Sequence, residues 1–311
     1  MKYKYKIQIP TLIPTGGNHL DTPGIIQVGY LSKMKKETSQ EILAGSFGGI
    51  IQVLTGQPFD TIKVRLQSSG NYSSTFDCVK QTISKEGLLA LYKGTLSPLF
   101  GISFCVAIQF SVLEEMKRIL SNSKTKTLSP FDFYVAGGVA GVCNSLVSTP
   151  VEHIRTRMQV QTDSKYKSTY DCFKQILKSH GVRGLYKGHV VTMLREWQGY
   201  GGYFFAYETI MQKFRNEHKD SMMHVLFAGA MAGYGMWIPV YFIDSVKSRI
   251  QTDSFGQSRK YTGMFDCFMK VIRNEGFFSL YRGFAACMLR AAPVNAATFL
   301  AYEQALRYLK S

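Results

Sequence analysis

One string of spaced polar residues occurs three times in this chain at a fixed interval, and this repetition restricts the fold more than any other feature. Pro58, Asp60, Lys63, Arg65 and Gln67 return as Pro150, Glu152, Arg155, Arg157 and Gln159. They return again, without the proline, as Asp244, Lys247, Arg249 and Gln251, each step being 92 residues. Gly45 and Gly49 recur with the same step as Gly137 and Gly141 and as Gly229 and Gly233. Farther on, Glu86-Gly87 with Tyr92-Lys93-Gly94 matches Gly181 with Tyr186-Lys187-Gly188, and Glu275-Gly276 with Tyr281-Arg282-Gly283. Asp-Cys pairs sit at 77–78, 171–172 and 266–267. A period of this kind makes each copy one supersecondary unit. The 311 residues therefore read as a tail, 1–36, and three units, 37–122, 123–218 and 219–311, rather than as two soluble domains.

Each unit reads as two long helical stretches separated by a polar, basic segment that holds a short amphipathic helix. In the first unit Ile42 to Phe59 and Thr95 to Leu113 carry no charge, and both reach the roughly 17 to 20 residues that cross a bilayer. The expected fold is an all-α membrane protein with six tilted transmembrane helices and short helices on one side. Mean hydropathy is only −0.05, which points to helices with one face on lipid and another on a water-filled interior. A hydropathy plot should therefore undercount them; a soluble helical solenoid is the alternative. The glycines at i, i+4 are expected to let helix backbones approach closely.

Lys and Arg number 37 against 21 Asp and Glu, a net charge of +16. An anionic partner follows: nucleic acid, anionic lipid or an acidic metabolite. Nucleic acid is set aside because the basic residues are spread through the repeats. The six cysteines form no CxxC pair, so free thiols are expected and no metal or cofactor site; no catalytic constellation suggests an enzyme. Residues 1–36 begin with alternating Lys and Tyr and contain no signal-like apolar stretch. They read as a basic, flexible tail.

The chain resembles the mitochondrial carrier family over residues 38 to 309, a family whose members carry three repeats of Pro-x-[Asp/Glu]-x-x-[Lys/Arg]-x-[Lys/Arg], each followed by Glu-Gly and aromatic-[Lys/Arg]-Gly; two of the three copies here keep the proline. The resemblance implies a pseudo-threefold barrel of six helices, multi-pass in the mitochondrial inner membrane, with both termini cytosolic and a central substrate site. It also implies three ion pairs closing the cavity on the matrix side: Asp60 with Arg155, Glu152 with Lys247, and Asp244 with Lys63. Membrane-embedded charges are costly, so such pairing is also what physics demands of these six residues. Gln67, Gln159 and Gln251 look like the glutamines that brace such pairs. The departures are Phe242 at the third proline position, with Pro239 three residues earlier, and His180 where Glu86 and Glu275 stand. On the cytosolic side only one cross-unit pair, Lys117 with Glu208, can be assembled from the family pattern. A weak cytosolic gate is expected.

Gly94, Gly188 and Gly283 precede helices, where backbone N–H groups can meet an anion. In the family these positions hold cardiolipin phosphates; a purely structural turn is the other reading. Substrate selection is expected at matched depths on the even-numbered helices, seven or eight residues past these glycines, where the units differ: Gly101, Arg195 and Arg290, and Glu196. Gln109, Trp197 and Tyr203 lie on nearby turns. Arginine grips a carboxylate and glutamate takes an ammonium, so these residues describe an amino acid, and an Arg-Glu pair here resembles carriers of amino acids and of carnitine. Alternatively Arg195 and Glu196 neutralise each other or the gate. The expected function is solute exchange or uniport by alternating access; a non-transporting subunit of a larger inner-membrane complex is the alternative.

Overall fold

The computed structural model describes residues 36–310 except 69–71, 122–127, 163–164 and 217–221. Apart from Lys36, the expected tail lies outside the described residues. In chain order the helices are α1 (Lys36–Ser68), α2 (Thr75–Glu86), α3 (Leu96–Leu120), α4 (Pro130–Val160), α5 (Thr169–Leu185), α6 (His189–Asn216), α7 (Met222–Thr252), α8 (Met264–Glu275) and α9 (Phe284–Lys310). Among the described residues there is no strand. Each unit thus consists of a long, a short and a long helix.

The recurring Asp-Cys pairs show how the sequence writes the short helices. Ser74 precedes α2 and its Oγ accepts the Asp77 backbone N–H at 3.1 Å, while Asp77 reaches back to the Ser73 N–H at 3.0 Å. This reciprocal cap satisfies donors that a helix start leaves open. Ser168 and Asp171 cap α5 likewise. Gly263 has no hydroxyl to offer, and at α8 only the Asp266 half of the device remains. The adjoining cysteine is the inward-facing residue: Cys78, Cys172 and Cys267 are each 0% exposed. Each sits in an apolar cluster between a short and a long helix, and burial pushes their thiols up to about 11, 12 and 12 respectively. They are inert packing groups.

Gly94, Gly188 and Gly283 have φ of +81°, +81° and +83°. A Cβ added to Gly94 would lie 3.0 Å from the Arg155 carbonyl, one on Gly188 3.1 Å from Gln251 Cγ, and one on Gly283 3.1 Å from the Lys63 carbonyl. Glycine is required there twice over, by the left-handed backbone and by the close approach. Each also places one unit against the next, the third against the first.

Of the long helices, α4 packs along α3 and α6, α6 along α7, and α9 returns to lie along α1. The expected close approach at i, i+4 glycines holds for one unit only. Added Cβ atoms would meet the Tyr200 carbonyl 2.8 Å from Gly137 and the Glu196 carbonyl 2.5 Å from Gly141, whereas Gly45, Gly49 and Gly233 have nothing within 4 Å. Spacing alone does not supply the partner. In unit two, α6 presents backbone at the matching height, and its own Gly201 would meet the Tyr134 carbonyl at 2.8 Å. No described helix is long and apolar enough to cross a membrane.

Candidate functional site

The long helices enclose a cavity of about 390 Å³ toward the end that carries the short helices. Its floor is built from the tripled charges. Lys63 Nζ lies 2.7 Å from Asp244 Oδ2, Arg155 Nη2 2.7 Å from Asp60 Oδ2, and Lys247 Nζ 2.9 Å from Glu152 Oε2. In each pair the partners come from different units, so each buried charge is neutralised across a unit boundary. Asp244 is 3% exposed and Lys247 6%. At such depth, removing one partner costs about 3–5 kcal/mol because the other charge is left uncompensated.

One of the three predicted glutamine braces is made. Gln67 Nε2 donates to Asp244 Oδ2 at 3.1 Å and accepts from Ser248 Oγ at 2.8 Å. Gln159 donates to Thr61 Oγ1 instead, and among the described residues Gln251 accepts only a long bond from Thr156. Arg155 is braced by a residue the motif does not contain: Gln57, whose Oε1 accepts from Nη2 at 2.5 Å and whose Nε2 donates to the Lys93 carbonyl at 2.8 Å. Its counterpart 92 × 2 residues on, Tyr241, donates to the Arg282 carbonyl at 2.9 Å. Trp237 lies under Lys63, with its ring centroid 4.6 Å from Nζ. Neither Gln57 nor Trp237 repeats by residue type, so the repeat pattern conceals them.

Above the floor the cavity is lined by Gly101, Arg195, Glu196 and Arg290. Arg195 is heavily committed: 2.5 Å to Glu196 Oε1, 3.1 Å to Glu152 Oε1 and 3.8 Å to Asp244 Oδ1. The reading in which Arg195 and Glu196 neutralise each other therefore describes this state in part, and Arg195 extends the floor network. Ser148 Oγ donates to Glu196 at 3.2 Å. Arg290 differs. Its Nε lies 3.2 Å from Asp60 Oδ1, a carboxylate that Arg155 already holds. No hydrogen bond of its guanidinium is present among the described residues, and the group lies across Gly56, where a Cβ would come within 2.8 Å of Nε. Five cations and four carboxylates line the cavity, and Arg290 is the cation left over.

Gln109 does not border the cavity. Eight residues beyond Gly101, it is about 12 Å along the axis and about 80° around it. Trp197 and Tyr203 also point elsewhere: Trp197 donates to the Tyr134 hydroxyl at 3.1 Å, and Tyr203 packs between apolar clusters. At the opposite end, Lys117 bonds Glu114 of its own helix at 2.8 Å and not Glu208, which accepts from Gln212. Glu114, three residues earlier on the same helix, supplies the carboxylate for Lys117, and the expected Lys117–Glu208 contact is not made.

The His180 departure reorganises one corner. In unit one Glu86 is held by Arg65 at 2.5 Å and Lys93 at 2.6 Å, and in unit three Glu275 is held by Arg249 and Arg282. Burial raises the Glu86 carboxyl, but the two cations outweigh it and hold the group below the usual carboxylate range; at Glu275 the Arg249 hydrogen bond does so directly. Unit two lacks the acid. Arg157 and Lys187 turn to the Asp253 carbonyl at 2.6 and 2.7 Å, Lys187 also reaches the Ser254 carbonyl, and both lie over the Phe255 ring, on which His180 stacks at 3.9 Å. Burial, then the nearby Arg157 charge, push Lys187 down to about 8.

The tripled fold, the interlocking pairs and the cavity define the class of protein. The family model for mitochondrial carrier protein matches residues 35–124, 126–218 and 218–311. The chain is 41% identical over 298 residues to the glutamate/glycine mitochondrial carrier ymc1 of Schizosaccharomyces pombe, covering 92% of this chain and 98% of that protein. It is 38% identical over 286 residues to the human mitochondrial carnitine/acylcarnitine carrier protein, covering 87% and 94%. To the human mitochondrial basic amino acids transporter it is 38% identical over 279 residues, covering 87% and 90%. The chain belongs to the mitochondrial carrier family, and its function is solute transport.

Proposed function

We propose that this carrier is a multi-pass protein of the mitochondrial inner membrane, its six long helices forming a barrel. It moves a solute bearing a carboxylate and a cationic nitrogen, an amino acid or a carnitine derivative, by alternating access. The carrying observation is the cavity's division of labour. Arg290 is the cation whose guanidinium the protein leaves without a hydrogen bond, and it faces the cavity together with Glu196, a carboxylate buried to 3% exposure. An arginine of this kind takes a carboxylate through two parallel hydrogen bonds, and the glutamate takes the nitrogen. Arg195 holds Glu196 in place and ties it to the pairs beneath. The names of the relatives, which cover glutamate, glycine, basic amino acids and carnitine, fit this chemistry.

The low apolarity of the helices is compatible with spanning, because their inner faces carry the charges of the floor and the cavity. The three matrix pairs open and close in the cycle, with Lys117 and Glu208 serving at the cytosolic end. Cardiolipin phosphates bind the starts of α3, α6 and α9 after Gly94, Gly188 and Gly283, glycines that also carry the packing between units.

The test is uptake into cardiolipin-containing liposomes loaded with a panel of labelled amino acids and acylcarnitines, comparing wild type with Glu196→Gln and Arg290→Ala. Each substitution removes a charge-assisted hydrogen bond worth roughly 1.5–3 kcal/mol, or about ten- to a hundredfold in affinity. Folded variants that transport the wild-type solute with unchanged affinity would place the site elsewhere.

A further inference from the structure

Asn144 lies on α4, lines the cavity and is 2% exposed, yet its Oδ1 has no hydrogen-bond partner among the described residues. A buried amide oxygen without a partner is costly and rare in a well-ordered interior. Its position is informative. Three residues earlier, Gly141 abuts the Glu196 backbone carbonyl, and four residues later Ser148 donates to the Glu196 carboxylate. Residues at these spacings share a helix face, so Asn144 stands between the two points at which α4 meets Glu196. Its counterparts one period away are Gln52 and Met236. Only unit two therefore pairs a short amide with an acid at this depth.

We propose that Asn144 is a specificity-determining residue: its amide oxygen accepts one N–H of the solute's ammonium group while Glu196 accepts another, so that the carrier selects a primary ammonium over a quaternary one. The inference rests on the amino-acid reading of Arg290 and Glu196 and narrows it. A quaternary nitrogen satisfies the charge of Glu196 but has no N–H, and its binding leaves the Asn144 oxygen buried and unpaired. A primary ammonium has three N–H donors and fills both acceptors. The asymmetry follows from the rule that a site built around a hydrogen bond rejects the analogue lacking it.

The probes are glycine, N-methylglycine, N,N-dimethylglycine and N,N,N-trimethylglycine, tested as competitors of uptake in liposomes. They share one carboxylate and one cationic nitrogen and differ in having three, two, one and no N–H. In the wild type the first methyl should have little effect, since two donors remain for two acceptors. The second and third should each weaken competition about tenfold, one charge-assisted bond apiece. In Asn144→Leu the loss at the second methyl should vanish while the loss at the third, which belongs to Glu196, persists. Asn144→Asp, which keeps the acceptor, should show both losses. Should the leucine variant fail to fold, as judged by thermal unfolding, Asn144→Ala makes the same removal in a smaller volume. Retention of both losses in a folded Leu or Ala variant would overturn the role of Asn144. Absence of competition by all four probes in the wild type would instead overturn the amino-acid reading beneath it.

Discussion

The glycine pairs offer an internal control, because the same substitution at equivalent positions of different units should have opposite effects. A Cβ on Gly141 would sit 2.5 Å from the Glu196 carbonyl oxygen, and one on Gly45 would meet nothing within 4 Å. Ordinary contact needs about 3.5 Å, so Gly141→Ala must drive α4 and α6 apart by roughly 1 Å. Forcing extra volume into a packed interface costs typically about 1–3 kcal/mol, against which alanine regains about 0.5–1 kcal/mol of helix propensity. The net expectation is a loss of about 1–2 kcal/mol for Gly141→Ala and a gain of up to about 1 kcal/mol for Gly45→Ala. Thermal unfolding of the purified variants in detergent reads this as a midpoint lowered by a few degrees in one and held or raised in the other. Because Gly141 touches the backbone of Glu196, its variant should also lose solute affinity. Equal midpoint shifts in the two variants would refute the claim that only the unit-two pair is a contact.

Removing Lys63 by Lys63→Ala leaves Asp244 buried among Arg195 and Lys247 without its closest partner, and exchange should nearly cease. The double variant with Asp244→Ala should be less impaired than the two single losses added, by a coupling of about 0.5–3 kcal/mol, and additive losses would show that the residues act apart. Lys187 should titrate near 8, followed as the pH dependence of its modification by an amine reagent, and His180→Glu should raise that midpoint by about 1 unit or more by restoring the absent acid. The sign is fixed: from about 8 up to its ordinary value of 10.5, the unfolded chain keeps a proton that the folded chain has released. This group's contribution to stability therefore grows across that window, and its charge weighs against folding below it. A midpoint near 10.5 in the wild type would sink the account of this corner.

The three units were legible because they depend on identity at a fixed spacing, and spacing along a helix put each acid and base on a shared face; which acid meets which base came from the family resemblance. What the sequence withheld depends on the partner across a gap. Gln57, Thr149 and Tyr241 occupy one repeat position with three different side chains, so the brace on Arg155 has no signature. The Gly-x-x-x-Gly strings look alike, yet only one meets backbone, and that is decided by α6 rather than by the glycines. Depth along the second long helix of each unit brought Arg195, Glu196 and Arg290 to one cavity, but not which arginine the floor already uses; that followed only from the distances to Glu152 and Asp244. Phe255 entering the His180 corner lies outside any repeated motif, in a loop whose path no periodicity records.

The three left-handed glycines have a mechanical corollary. Gly94 bears on the helix of the second unit, Gly188 on that of the third and Gly283 on that of the first, so the load path is a closed loop without a free end. A chain of leaves in which each rests on its neighbour can widen only if all of them turn, as in an iris diaphragm. On the alternating-access reading, a stiffened bearing in one sector would therefore be felt at the aperture as a whole.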